Sequence, residues 1–132
     1  MAKQHISEGL KTFIKEKIQT VLRLEVLLLL HHQQPRSFTA VEVANELGFE
    51  KEEAQDQLKA LQAIGVVQST LDKPKYSYHP VNAQLRSLVQ QLAVGYSEQR
   101  VPILSIILAD HPDRTRLFAE AFRIIRKKRL NS

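Results

Sequence analysis

A mainly α-helical fold carrying one small β-hairpin is predicted by three observations. Apolar residues recur at helical spacing over most of the chain, a Thr-x-x-Glu box at Thr39 and Glu42 with stops at Gly48 and Gly65 brackets two short helices, and a β-branched run and Tyr76-Ser77-Tyr78 flank Asp72-Lys73-Pro74-Lys75. At 132 residues, with 43% apolar and 25% charged side chains, the chain is expected to fold as one domain over 1–132, a central unit over 20–80 carrying helical extensions over 1–19 and 81–132.

From Ile6 to about Gln33 the apolar positions Ile6, Leu10, Phe13, Ile14, Ile18, Val21 and Leu22 run into Leu24 to Leu30, which predicts one long helix ending before Pro35. The segment LEVLLLL, apolar nearly all round except for Glu25, is expected to be buried on several sides. A helix from Ala40 to Leu47 follows the capping box, Gly48 supplies the turn, and a second helix runs from about Lys51 to Ile64 with Ala54, Leu58 and Leu61 on its inner face. Val66 to Leu71, the Asp72–Lys75 turn and the alternating tyrosines predict the hairpin.

A further helix is expected from Val81 or Asn82, with Leu85, Leu88, Val89, Leu92 and Tyr96 on its apolar face. Leu85 and Ile103 are 18 residues apart, about five turns, so the apolar face returns in phase beyond Pro102. This predicts one helix to about Leu108, kinked where Pro102 cannot donate to the Glu98 carbonyl. After Asp110-His111-Pro112-Asp113, a last helix would bear Leu117, Phe118, Ala121, Phe122 and Ile125 on its apolar side.

The net charge of +5 is unevenly placed. Residues 1–80 hold ten Lys/Arg and ten Asp/Glu, whereas residues 81–132 hold nine against four, so the basic character belongs to the C-terminal part. No cysteine is present, which excludes disulfides, thiolate catalysis and cysteine-based metal sites and is compatible with a cytoplasmic setting. The start MAKQHISEG has no long apolar stretch, and VLLLL and ILSIIL fall far below the roughly 18 residues of a span, so neither signal peptide nor membrane span is expected.

The capped TAVEVANELG helix, the LKALQAIGVV run and the DKPKYSY hairpin resemble the winged helix-turn-helix regulators of bacteria, the group of MarR-like and ArsR-like proteins. The whole chain, with LEVLLLL before the hairpin and RVPILSIIL after it, resembles a set of short bacterial proteins, a likeness that implies no activity. The winged-helix resemblance implies a winged-helix core over 20–80, whose second short helix enters duplex DNA while the hairpin, or wing, touches the backbone. MarR-like wings usually carry an arginine after an aspartate; here Asp72 is followed by Lys73-Pro74-Lys75, which leaves lysine contacts to phosphate.

Projected at 100° per residue, the face of the Lys51–Ile64 helix opposite its core carries Glu52, Asp56, Lys59, Ala60 and Ala63, with Gln55 and Gln62 on the flank. Base reading uses Arg, Lys, Asn, Gln, Ser or Thr, and Glu50, Glu52 and Glu53 favour the helix start while repelling a phosphate. The candidate DNA contacts are therefore Gln55, Lys59, Gln62, Lys73 and Lys75, joined by Arg123, Arg126 and Lys127 of the C-terminal helix. That last helix has three readings: a solvated basic face, a phosphate contact, or a contact to an anionic partner or membrane surface.

His31-His32 and Asp110 to Asp113 are the only groupings that hint at metal or acid–base chemistry; adjacent helical histidines diverge by about 100°, and helix capping explains the aspartates. No phosphate-cradle or nucleophile-elbow motif occurs, so neither a cofactor, nor a metal, nor an enzyme is expected. Two functions stand open: a cytoplasmic transcriptional regulator that docks on duplex DNA, or an interaction module on a winged-helix scaffold that binds a protein through the acidic helix or through the exposed apolar helix surface. A homodimer through Leu85, Leu88, Leu92 and Tyr96 is expected, against the reading that these residues line the chain's own core.

Overall fold

The computed structural model describes residues 6–70 and 73–109. Its elements are α1 (Glu8–Phe13) running into a π-helical turn (Ile14–Ile18), α2 (Val21–His32), α3 (Ala40–Leu47), α4 (Lys51–Ile64), β1 (Val67–Ser69), β2 (Tyr76–Tyr78), α5 (Ala83–Glu98) and α6 (Arg100–Ala109). The architecture is mainly helical with one small two-stranded antiparallel hairpin, as the sequence predicts.

The N-terminal helix is not continuous, contrary to the expected single helix from Ile6 to Gln33. It stops at Gln19, whose φ of 68° lies in the left-handed region, and α2 restarts after Thr20, whose Oγ1 accepts from the Arg23 N–H at 3.1 Å. The carbonyl of Lys17, released by the break, accepts from Arg23 Nη1 at 2.9 Å, and Arg23 Nε reaches Gln57 of α4 at 2.9 Å. The π turn adds one residue to the preceding coil, and this places both Ile14 and Ile18 fully in the core. With neither glycine nor proline at the break, apolar spacing carried no sign of it.

Residues Val21, Leu22, Leu24, Glu25, Val26, Leu27, Leu28 and Leu30 of α2 are buried, so this helix is enclosed on nearly every side. α4 packs on it from one direction, β2 and α3 from others, and α1 lies along α5. The capping box of α3 forms as expected: Thr39 Oγ1 accepts from the Glu42 N–H at 3.1 Å, and Glu42 accepts from the Thr39 N–H at 2.8 Å. Gly48, at φ 77°, ends α3, and Gly65, at φ 101°, ends α4.

The hairpin is shorter than Val66 to Leu71 suggests. Val67 pairs with Tyr78, Gln68 with Ser77 and Ser69 with Tyr76, and Thr70 closes the turn by accepting from the Lys75 N–H at 3.1 Å and donating to the Lys73 carbonyl at 2.9 Å. Phe38 adds a bridge on the far side of β2, exchanging backbone bonds with Tyr76 at 2.8 and 2.7 Å. β2 is thus paired on both sides, an arrangement the sequence did not reveal.

The expected kink at Pro102 is instead a full break, located at Gln99 (φ −137°, ψ 60°). A proline ring clashes with the carbonyl four residues earlier, here that of Glu98, and ending α5 at Glu98 removes the clash. Pro102 then falls in the first turn of α6, where its missing N–H is not needed. Leu92 and Tyr96, two of the four residues of the expected dimer seam, are buried in the chain's own core, while Leu85 and Leu88 are half-buried.

A Cβ at Gly65 would sit 3.0 Å from Val81 Cγ2, at a φ that L side chains rarely adopt. Gly65→Ala is therefore expected to destabilise the fold by roughly 1–3 kcal/mol in urea unfolding, with little change in the m value.

Candidate nucleic-acid interface

α4 owes its position to Ala54, Leu58 and Leu61, all fully buried against α2 and α3. Around its axis Lys51, Gln62 and Gln55 fall within about 40° of one another, Lys59 lies about 40° further, and Glu52 and Asp56 come next. The hairpin sits on the lysine–glutamine side. A groove of about 340 Å³ separates it from the helices, lined by Thr39, Ala40 and Val41 of the α3 start, Lys51 and Gln55 of α4, and Lys73, Pro74 and Tyr76 of the hairpin.

The structure therefore brings Gln55 and Lys73 together, with Lys75 exposed on the same hairpin. Lys59 and Gln62 are exposed farther along α4 and do not line the groove. Arg123, Arg126 and Lys127, like Asp110 to Asp113, lie outside the described residues. Lys51 and Val41 are among the groove residues that were not named as contacts from the sequence. The spacing of Lys51 one turn before Gln55 was the available signal for the first; the hairpin's placement, which carries the second, was not legible.

Lys11 pairs with Glu8 at 3.3 Å, whereas Lys51, Lys59, Lys73 and Lys75 have no carboxylate of the described residues within salt-bridge distance. Among the described residues the side-chain amides of Gln55 and Gln62 make no hydrogen bond, whereas the Gln57 side chain accepts from Arg23 at 2.9 Å. At the groove's edge Glu42 is held below its usual carboxylate range, first by the Thr39 N–H, against some desolvation, then by the Thr39 hydroxyl and the charges of Lys75 and Arg36. Arg36 lies with its guanidinium carbon 4.3 Å from the centre of the Phe38 ring, adding a cation near the hairpin.

The hairpin is tied to α2 by the Tyr78 ring, which meets His31 edge-on with centroids 5.0 Å apart. His31 also stands 5.2 Å from His32, and burial, then the charge of His32, lowers its pKa from 6.5. Among the described residues no group of three or more His, Asp or Glu side chains converges as a metal site would require. On another side of α2, a cavity of about 290 Å³ is lined by Glu25, Leu28, His32, Tyr96 and Arg100, among others; there the Tyr96 hydroxyl donates to Glu25 at 2.9 Å, and Arg100 lies 4.8 Å from the Tyr96 ring centre. Burial and the neighbouring carboxylate push the Tyr96 phenol well up, so it remains a donor at all ordinary pH. No helix of the described residues is long and apolar enough to cross a membrane.

No protein-family model matches the chain, and no curated protein sequence matches it.

Because the folded state lowers the pKa of His31, it favours the neutral ring. Its contribution is fully present above the unfolded value near 6.5 and disappears as the pH falls from there towards the lower folded value. Unfolding stability of the native chain is expected to fall more steeply than that of His31→Gln as the pH is lowered from about 7 to about 5, measured by urea titration.

Proposed function

We propose that the chain is a winged-helix DNA-binding regulator that docks α4 and its hairpin on duplex DNA. The observation that carries this reading is the groove itself, in which Lys51, Gln55 and Lys73 meet with no carboxylate among the described lining residues. The acidic residues Glu52 and Asp56 that make α4 look unsuited to DNA lie beyond Lys59, away from the hairpin. Docking along the groove side presents Lys51, Gln55, Lys59 and Gln62 to the duplex, and Lys73 and Lys75 to its phosphates. The central position of β2, between β1 and Phe38, supports the winged-helix assignment because it fixes the wing to the start of α3.

The reading includes a homodimer, no enzymatic activity and no cofactor. Support for a dimer is confined to Leu85 and Leu88, which with Phe13 and Ile64 line an open groove of about 580 Å³. Light scattering at micromolar concentration is expected to give twice the chain mass of 15.1 kDa; a monomer rejects this part. The exposed acids Glu50, Glu52 and Asp56 favour a second reading, in which the far side of α4 binds a basic protein surface.

Fluorescence anisotropy with generic duplex DNA at several salt concentrations separates the two. Salt-dependent binding is expected, and replacing Lys51, Lys73 or Lys75 by Ala is expected to reduce the slope of log affinity against log salt by about 0.9 for each phosphate that the shortened side chain no longer neutralises. Absence of binding at low salt sinks the DNA reading and leaves the acidic face as the site.

A further inference from the structure

Five residues of α3 have apolar side chains, and four of them, Ala40, Val43, Ala44 and Leu47, are buried. The fifth, Val41, is 46% exposed and lines the groove beside Gln55, whose amide has no hydrogen bond among the described residues. A primary amide with both donor and acceptor available matches the N6 and N7 edge of adenine in the major groove. The one apolar feature on that edge of the duplex is the thymine C5 methyl, which takes contacts from small apolar side chains. Lys51 and Lys73, on α4 and the hairpin, provide the charges that would hold a phosphate backbone against this surface.

We propose that the groove reads an adenine and a neighbouring thymine, with Gln55 bonding the adenine edge and Val41 covering the thymine methyl. The inference rests on the DNA-docking reading above and assigns its preferred substrate, duplex rich in A·T pairs. Val41 and Gln55 set specificity, and the lysines supply affinity that is blind to sequence.

The test uses the full chain and three duplexes of equal length: alternating A·T, the same duplex with deoxyuridine in place of thymidine, and alternating G·C. Deoxyuridine keeps the pairing and charge and removes the major-groove methyl. The native chain is expected to bind the thymine duplex more tightly than the uracil duplex by about fourfold for each methyl covered, and both more tightly than the G·C duplex. Val41→Ser, which puts a hydroxyl where the two methyls stood, is expected to erase the thymine–uracil difference and keep the preference for A·T over G·C; Gln55→Ala is expected to weaken that preference and keep the methyl effect. Equal affinity of the native chain for thymine and uracil duplexes, or a difference that survives in full in Val41→Ser, overturns the inference. Equal binding to all three duplexes also overturns it while leaving the DNA reading intact, whereas no binding to any of them at low salt removes both.

Discussion

A helix that is apolar around its whole circumference has to be surrounded, and α2 imposes that condition on the chain. Eight of its twelve residues are buried, which one partner helix alone cannot achieve. α4, α3, the π turn and β2 each cover a sector of it, and Tyr96 of α5 reaches in to bond Glu25, the one charged residue buried in this core among the described residues. The placement of α4 and the hairpin, and so the groove between them, follows from the need to enclose α2. Tyr78 against His31 ties the hairpin to α2, and Phe38 against Tyr76 ties it to the start of α3.

Around this helix the chain changes direction at points where side chains take over hydrogen bonds that the backbone gives up. Thr20, Thr39 and Asn82 each cap a helix start through a side-chain oxygen, and Arg23 claims the carbonyl exposed by the break at Gln19. The same economy shapes the electrostatics of α4. Its first-turn glutamates favour the helix dipole, and Glu53 accepts from the Glu50 N–H at 3.0 Å. Acidic residues near this helix start thus have a structural purpose, and their presence does not by itself assign the surface to a protein or to a nucleic acid.

The capping box, both glycine stops, the inner face of α4 and the existence of the hairpin were legible because each rests on local chemistry within a few residues. The two breaks were not. Ile14, Ile18, Val21 and Leu22 keep an apolar rhythm straight through Gln19-Thr20, and Leu85 and Ile103 stay in phase across Gln99, so spacing alone predicts continuity where tertiary packing chooses a turn. For the interface, Gln55 and Lys73 could be named separately from residue type. Their shared groove, and the inclusion of Val41 and Lys51, depend on which flank of α4 the hairpin covers, a long-range fact set by the bridge between Phe38 and Tyr76.

That bridge has a further effect, on self-association. With β2 paired on both sides, the outer edges of the small sheet are β1, three residues long, and the single position at Phe38, where the chain turns at once into the capped start of α3. Neither edge is long enough to template an added strand, which is how exposed sheets seed aggregates. The hairpin can therefore face solvent without recruiting another chain through its strand edges.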